Sequence, residues 1–319
     1  MVQTVLGDVP AGNLGFCQSH EHLWISRGHS AEIYPALCID DPEKSTAELR
    51  RYREAGGGAV LDAQPPGCGR DARMLRKISA ASGVKIIAST GFHRLLYYPE
   101  DHWIYRYGEE ELEALFTQEL CEGMYIDCDT EAPKKTGAFR AGQIKTALET
   151  EFSPLHERLF TAAAKAAGKT GRPLMVHVEK GSDPVGLADF LEKQGLSPDR
   201  LIFCHLDRAV ADPQTHRELV RRGIYLEYDT IARYKYHDDE KELDIICAAA
   251  EAGFEKQILC SLDVTRERLA SYGGRPGLDY ILKTFIPMLL ERGLKRETVD
   301  LFFYENPARV FERSCPDGP

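Results

Sequence analysis

Gly15-Phe16-Cys17-Gln18-Ser19-His20-Glu21-His22-Leu23 begins as an apolar run and ends on two histidines one residue apart. Residues two apart on an extended strand point to the same face, so both imidazoles aim one way. A doubly wound open sheet would place a glycine-rich phosphate turn after its first strand. Here that place is taken by His20-Glu21-His22, which turns the reading toward a closed barrel. Seven further strand candidates follow, at residues 58–64, 85–93, 143–148, 173–180, 201–208, 224–230 and 257–264. They are apolar without alternation, as strands buried on both faces of a parallel sheet are. Amphipathic stretches lie between them. Asp40-Asp41-Pro42 predicts a helix running through Leu49 and Tyr52 to the stop Gly56-Gly57-Gly58. Ser153-Pro154 predicts another, through Leu159 and Phe160 to Gly168. Both starts pair a capping residue with Pro at the first helical position. Eight β–α repeats in about 300 residues predict an α/β fold, a (β/α)8 TIM barrel, with 1–319 as one domain.

Composition narrows the function classes. The chain has 319 residues, 43% apolar and 28% charged, with net charge −10. No basic stripe supports nucleic-acid binding, and the apolar runs are strand-sized, far short of a membrane span. The N-terminus lacks a charged start and a long apolar core, so it does not read as a secretion signal. The nine cysteines are odd in number and without Cys-x-x-Cys spacing, which predicts reduced thiols in a cytoplasmic protein. A homodimer is left open; the expected partner is a small-molecule substrate.

Catalytic groups of a barrel gather at the C-terminal ends of its strands, which open onto one mouth. The first strand ends in His20-Glu21-His22, the fourth carries Lys145, the fifth ends at His177, the sixth at His205 and the eighth at Asp263. Each residue alone has a structural explanation: a polar turn for His-x-His, a satisfied core histidine for His205, a salt bridge for Lys145. Together they put nitrogen and oxygen donors at one level of the barrel, a set suited to zinc, manganese, cobalt or iron. A desolvated lysine gives up its proton more readily. Its neutral amine reacts with carbon dioxide to a carbamate, whose two oxygens can bridge two cations.

These residues resemble the phosphotriesterase-like branch of the amidohydrolase superfamily. The likeness runs from Leu6-Gly7 through His20-Glu21-His22, Gly69-Arg70-Asp71, Ser89-Thr90-Gly91-Phe92 and Gln143-Ile144-Lys145. It continues with Val176-His177, Cys204-His205-Leu206-Asp207, Ser261-Leu262-Asp263 and Asn306-Pro307-Ala308. The resemblance implies a hydrolase with two divalent metal ions, zinc being the first choice. His20, His22 and Asp263 would hold the more buried ion, and His177 with His205 the more exposed one. Carbamylated Lys145 and a hydroxide would bridge them, with Asp263 also accepting the proton of the attacking water.

The resemblance does not name the substrate, so the loops must. Lys180, Arg233, Lys235 and Arg266 follow the fifth, seventh and eighth strands, putting cations at the mouth of an acidic protein. Surface salt bridges with Glu179, Asp183 or Glu267 are the plain alternative use for them. The loop after the third strand adds His93, Tyr97 and Tyr98, aromatic and polar groups that can flank a sugar-like ring. The expected activity is hydrolysis of an anionic, phosphorylated or carboxylated, sugar-derived lactone. The alternatives are a neutral lactone or carboxyl ester hydrolase with weak phosphotriesterase activity, and an inert ligand-binding barrel.

Overall fold

The computed structural model describes residues 1–129 and 132–313; Cys315 and the end of the expected domain lie outside them. Two short antiparallel strands, β1 (Val2–Thr4) and β2 (Gly7–Val9), form a hairpin that the sequence reading passed over. Eight parallel strands follow: β3 (Phe16–Glu21), β4 (Gly57–Asp62), β5 (Lys85–Gly91), β6 (Gln143–Leu148), β7 (Leu174–Val178), β8 (Leu201–Cys204), β9 (Tyr225–Tyr228) and β10 (Ile258–Cys260). Seven fall inside the expected runs, and β4 starts one residue before its run, at Gly57. They pair in chain order from β3 to β10, the topology of a (β/α)8 barrel.

The seam between β10 and β3 is closed by one side chain and a backbone hydrogen bond. Glu21 accepts the amides of Leu262 (2.8 Å) and Val264 (2.9 Å), and the Asp263 amide donates to the His20 carbonyl (3.1 Å). The acid between the two histidines is therefore a latch. Burial pushes its carboxyl up to about 8, while the two amides pull the other way.

Two cores result from this closure. One fills the barrel interior with Cys17, Leu61, Ile87, Met175, Ile202 and Leu259, sealed at one end by Val2, Val310 and Phe311. The other lies between the sheet and its helices. The helices start as the local grammar predicts. Asp41 caps Pro42–Glu54 by accepting the amides of Glu43 and Lys44, and Ser153 caps Pro154–Thr170. Asp183-Pro184 and Asp212-Pro213 repeat the device. Such a cap is worth about 1 kcal/mol. The helix expected to stop at Gly168 instead runs to Thr170, because Gly171 takes the left-handed conformation (φ 66°) that ends it.

Gly91 opposes Lys145 across β5 and β6. Its φ is 99°, and a Cβ there would meet the Lys145 carbonyl oxygen, which accepts the Phe92 amide at 2.8 Å. Gly91→Ala is expected to cost about 2 kcal/mol or more, read as a fall in the urea midpoint. An unchanged midpoint would mean that this strand spacing can relax.

Among the described residues no helix is long and apolar enough to cross a membrane, and the eight cysteines there are free.

Candidate metal centre

The strand ends bring the expected donors together. The Lys145 Nζ lies 3.1 Å from the His20 Nε2, and the Asp263 Oδ1 lies 3.6 Å from the His22 Nε2 and 3.8 Å from the His20 Nε2. The His205 Nε2 and His177 Nδ1 are 2.7 Å apart, and the His20 and His205 ring centroids are 4.9 Å apart. His205 (φ 65°) and Asp263 (φ 50°) both adopt left-handed backbone where their strands end. Non-glycine residues take that conformation at a cost and concentrate it at functional sites.

Lys145 is fully buried. Among the described residues no carboxylate comes within ion-pair distance of it, so the salt bridge weighed above is not formed. His20 Nδ1 and His22 Nδ1 are buried without hydrogen bonds. Burial holds His177 down at about 4 and His205 well below its ordinary value. Neutral imidazoles keep the lone pair a metal needs. The donor chemistry, the orphaned nitrogens and an unpaired lysine all fit bound cations.

Carboxylates back the cluster. Asp229 accepts from His205 Nδ1 at 2.7 Å, and its other oxygen lies 3.3 Å from the His20 Nδ1. Glu227 stands 3.4 Å from the same nitrogen and is held by Cys204 and Ser261. The sequence reading missed Asp229, although the strand-end rule that found His177 picks it out equally well. Such outer carboxylates orient ligating imidazoles.

Arginines cap the cluster from above. Arg233 and Arg208 both donate to the Asp263 Oδ2, Arg208 at 3.1 Å, and Arg208 packs over the Tyr236 ring. Burial alone would raise the Asp263 carboxyl. Arg233, His22 and Arg208 overrule it and hold it well below the usual carboxylate range.

The remaining predicted contacts separate. The His93 ring lies 5.5 Å from the His177 ring and 4.9 Å from the Tyr97 ring, at the edge of the cluster. Tyr98 is buried; its hydroxyl donates to the Pro66 carbonyl (3.3 Å) and accepts the His93 amide (2.8 Å), so it braces the loop. Lys180 and Lys235 are exposed, Lys235 over the Tyr236 ring, and half-buried Arg266 lies over the Tyr272 ring. Arg233 and Lys235 thus meet at the Tyr236 ring, while Lys180 and Arg266 stand apart from them. Other residues of the quoted motifs are structural. Arg70 makes a bidentate pair with Glu119 (2.7 Å each), Asp71 caps Ala72–Ser82, and Asn306 donates to the carbonyls of Glu255 and Ile258.

Comparison with known proteins agrees with this geometry. A "Phospho-furanose lactonase" of Mycoplasmopsis agalactiae is 30% identical, over 97% of this chain and 90% of its own. An "N-acetyltaurine hydrolase" of Danio rerio is 26% identical, over 97% of both. The crystal structure of a lactonase from Listeria monocytogenes superposes with a TM-score of 0.89 at 27% identity, covering 98% of this chain and 99% of that one. The model of the phosphotriesterase family matches residues 1–311. A closed barrel, a cluster of nitrogen and oxygen donors at its mouth and a match over nearly the whole length agree: the chain belongs to the phosphotriesterase family and is a hydrolase of that family.

Proposed function

We propose that this protein is a binuclear metal-dependent lactonase whose substrate is a sugar-derived lactone carrying a phosphate or carboxylate. The observation that carries the substrate reading concerns charge. Lys180, Lys235 and Arg266 stand on loops after β7, β9 and β10, and among the described residues no carboxylate pairs with them. Two of the three acids that had been weighed as their partners are engaged elsewhere, Glu179 with Arg94 and His177, and Asp183 with the Gly186 amide. Unpaired cations at the mouth of a chain of net charge −10 favour an anionic ligand. The names of the relatives point the same way, since a phospho-furanose lactone and an N-acetylated taurine are both anions. The second name also supports a second reading, hydrolysis of a small anionic amide.

The roles follow from position. His20, His22 and Asp263 would hold one ion, His177 and His205 the other, and carbamylated Lys145 would bridge. When bound, two divalent ions lower the pKa of a water between them and polarise the scissile carbonyl. Asp263 takes the proton of the attacking water, while Arg208 and Arg233 keep that carboxylate charged and aimed. Asp229 fixes the tautomer of His205. His93 and Tyr97 flank the ring of the substrate. Zinc suits the donors best, with manganese, cobalt or iron as alternatives. We read residues 1–319 as one domain and the protein as cytoplasmic.

The test is a hydrolysis panel of furanose lactones with and without phosphate, beside N-acylated taurine. Charge-assisted contacts are worth roughly 1.5–3 kcal/mol. Arg266→Ala is therefore expected to lower kcat/KM for the phosphorylated lactone about ten- to a hundredfold and to spare the neutral one. Equal losses on both would favour the neutral lactone. A protein that purifies without metal and hydrolyses nothing in the panel would be the inert barrel.

A further inference from the structure

A separate group of ligating side chains sits where the loops after β8 and β9 meet the helix Asp239–Glu251. Asp207 follows β8, His237 lies on the loop after β9, and Glu242 is in the first turn of the helix. One ligand atom from each lies within 4.8 Å of the others. The Glu242 side chain is fully buried, and neither of its oxygens has a hydrogen-bond partner. The His237 Nε2 lies 3.2 Å from the Glu242 Oε2, within ion-pair distance but outside hydrogen-bond geometry. Nearby donors are spent elsewhere. The Ala232 amide and the Tyr280 hydroxyl go to Asp239 (2.6 Å each), the Thr230 amide goes to Asp207 (2.6 Å), and the Tyr228 hydroxyl pairs with His216 (3.0 Å). A buried carboxylate with no aligned donor is costly, and a second carboxylate beside it adds repulsion.

We propose that Asp207, His237 and Glu242 bind a divalent cation of the zinc class, in a site distinct from the histidine cluster. One imidazole nitrogen and two carboxylate oxygens leave a fourth position for water, a donor set suited to zinc, cobalt or manganese. Entry is open on two sides. His237 is partly exposed, and Asp207 lines a cleft of about 470 Å³ that it forms with Val210, His216, Ile245 and Phe254. The ion would join two loops to one helix. Those loops also carry Arg208 and Arg233, the groups that hold Asp263. Its role is a clip that fixes them rather than a part in the reaction.

The experiment strips the protein with a chelator, reloads it with zinc alone and measures metal per chain. Glu242→Gln and His237→Asn are each expected to hold about one ion fewer than the unmodified protein and to gain less thermal stability from added zinc. His22→Ala should leave this ion in place. If the histidine cluster held no metal, the unmodified protein would carry this ion alone and Glu242→Gln would still lose it, so the two sites fail separately. His237 is partly exposed, so its variant folds even where the buried Glu242 variant does not. Diffraction of the unmodified, zinc-loaded protein at the zinc edge should give an anomalous peak between the three side chains. Metal content unchanged in both variants, or no peak at saturating zinc, would overturn the proposal and leave a shared proton in its place.

Discussion

Asp263→Asn is expected to lower kcat by about 10²- to 10⁴-fold, the usual contribution of a positioned general base. The amide keeps the shape and removes the charge. It can no longer take a proton from water, and it is a poorer partner for a cation. The structure adds a second cost. Arg233 and Arg208 both donate to the Asp263 Oδ2, and the three side chains are largely buried. Without the carboxylate, Arg208 keeps Asp229 at 3.5 Å but Arg233 faces a neutral amide alone, and a buried charge left uncompensated destabilises by several kcal/mol. Turnover and thermal unfolding are therefore measured together, with metal content as the third readout. A variant that holds its metal and turns over at the unmodified rate would eliminate the proton-accepting role.

Lys145→Ala is expected to abolish activity and to lose metal at the same time. Lys145 is seated inside the cluster, fully buried and in contact with His20. As a carbamate it becomes an anion with two oxygens. As alanine it leaves a cavity, with the imidazoles of His20, His22, His177 and His205 around it. Adding acetate or propionate to the variant is expected to restore part of both metal and activity, because a small carboxylate fits the space and replaces the bridge. Metal analysis and an activity assay across a carboxylate series measure this. Full metal occupancy in Lys145→Ala without added acid would show that the bridge is not needed.

What the sequence determined by itself was the barrel and the list of donors. Eight apolar runs without alternation encode strands buried on both faces, and burial is a property each run declares locally. Helix starts were legible for the same reason: Asp41-Pro42 and Ser153-Pro154 satisfy amides only two or three residues away. The hairpin Val2–Thr4 with Gly7–Val9 escaped because three-residue strands carry no period to read. The helix stop moved from Gly168 to Gly171 because only the folded chain decides which glycine turns left-handed.

The site followed the same division. Residue type and place on a strand picked out His20, His22, Lys145, His177, His205 and Asp263. Tertiary structure alone decided what holds them. Glu21 reaches the amide of Leu262, 241 residues away, only once the barrel closes. His205 and Asp263 turn inward through left-handed backbone that neither residue type announces. Arg233, read as a substrate contact, meets Asp263 instead, and Tyr98 is consumed by the His93 amide and the Pro66 carbonyl. Hydrophobic pattern and local capping are short-range and additive, so a sequence displays them directly. The pairing of charges across distant loops depends on which acid reaches which base after closure, and only the closed barrel sets those distances.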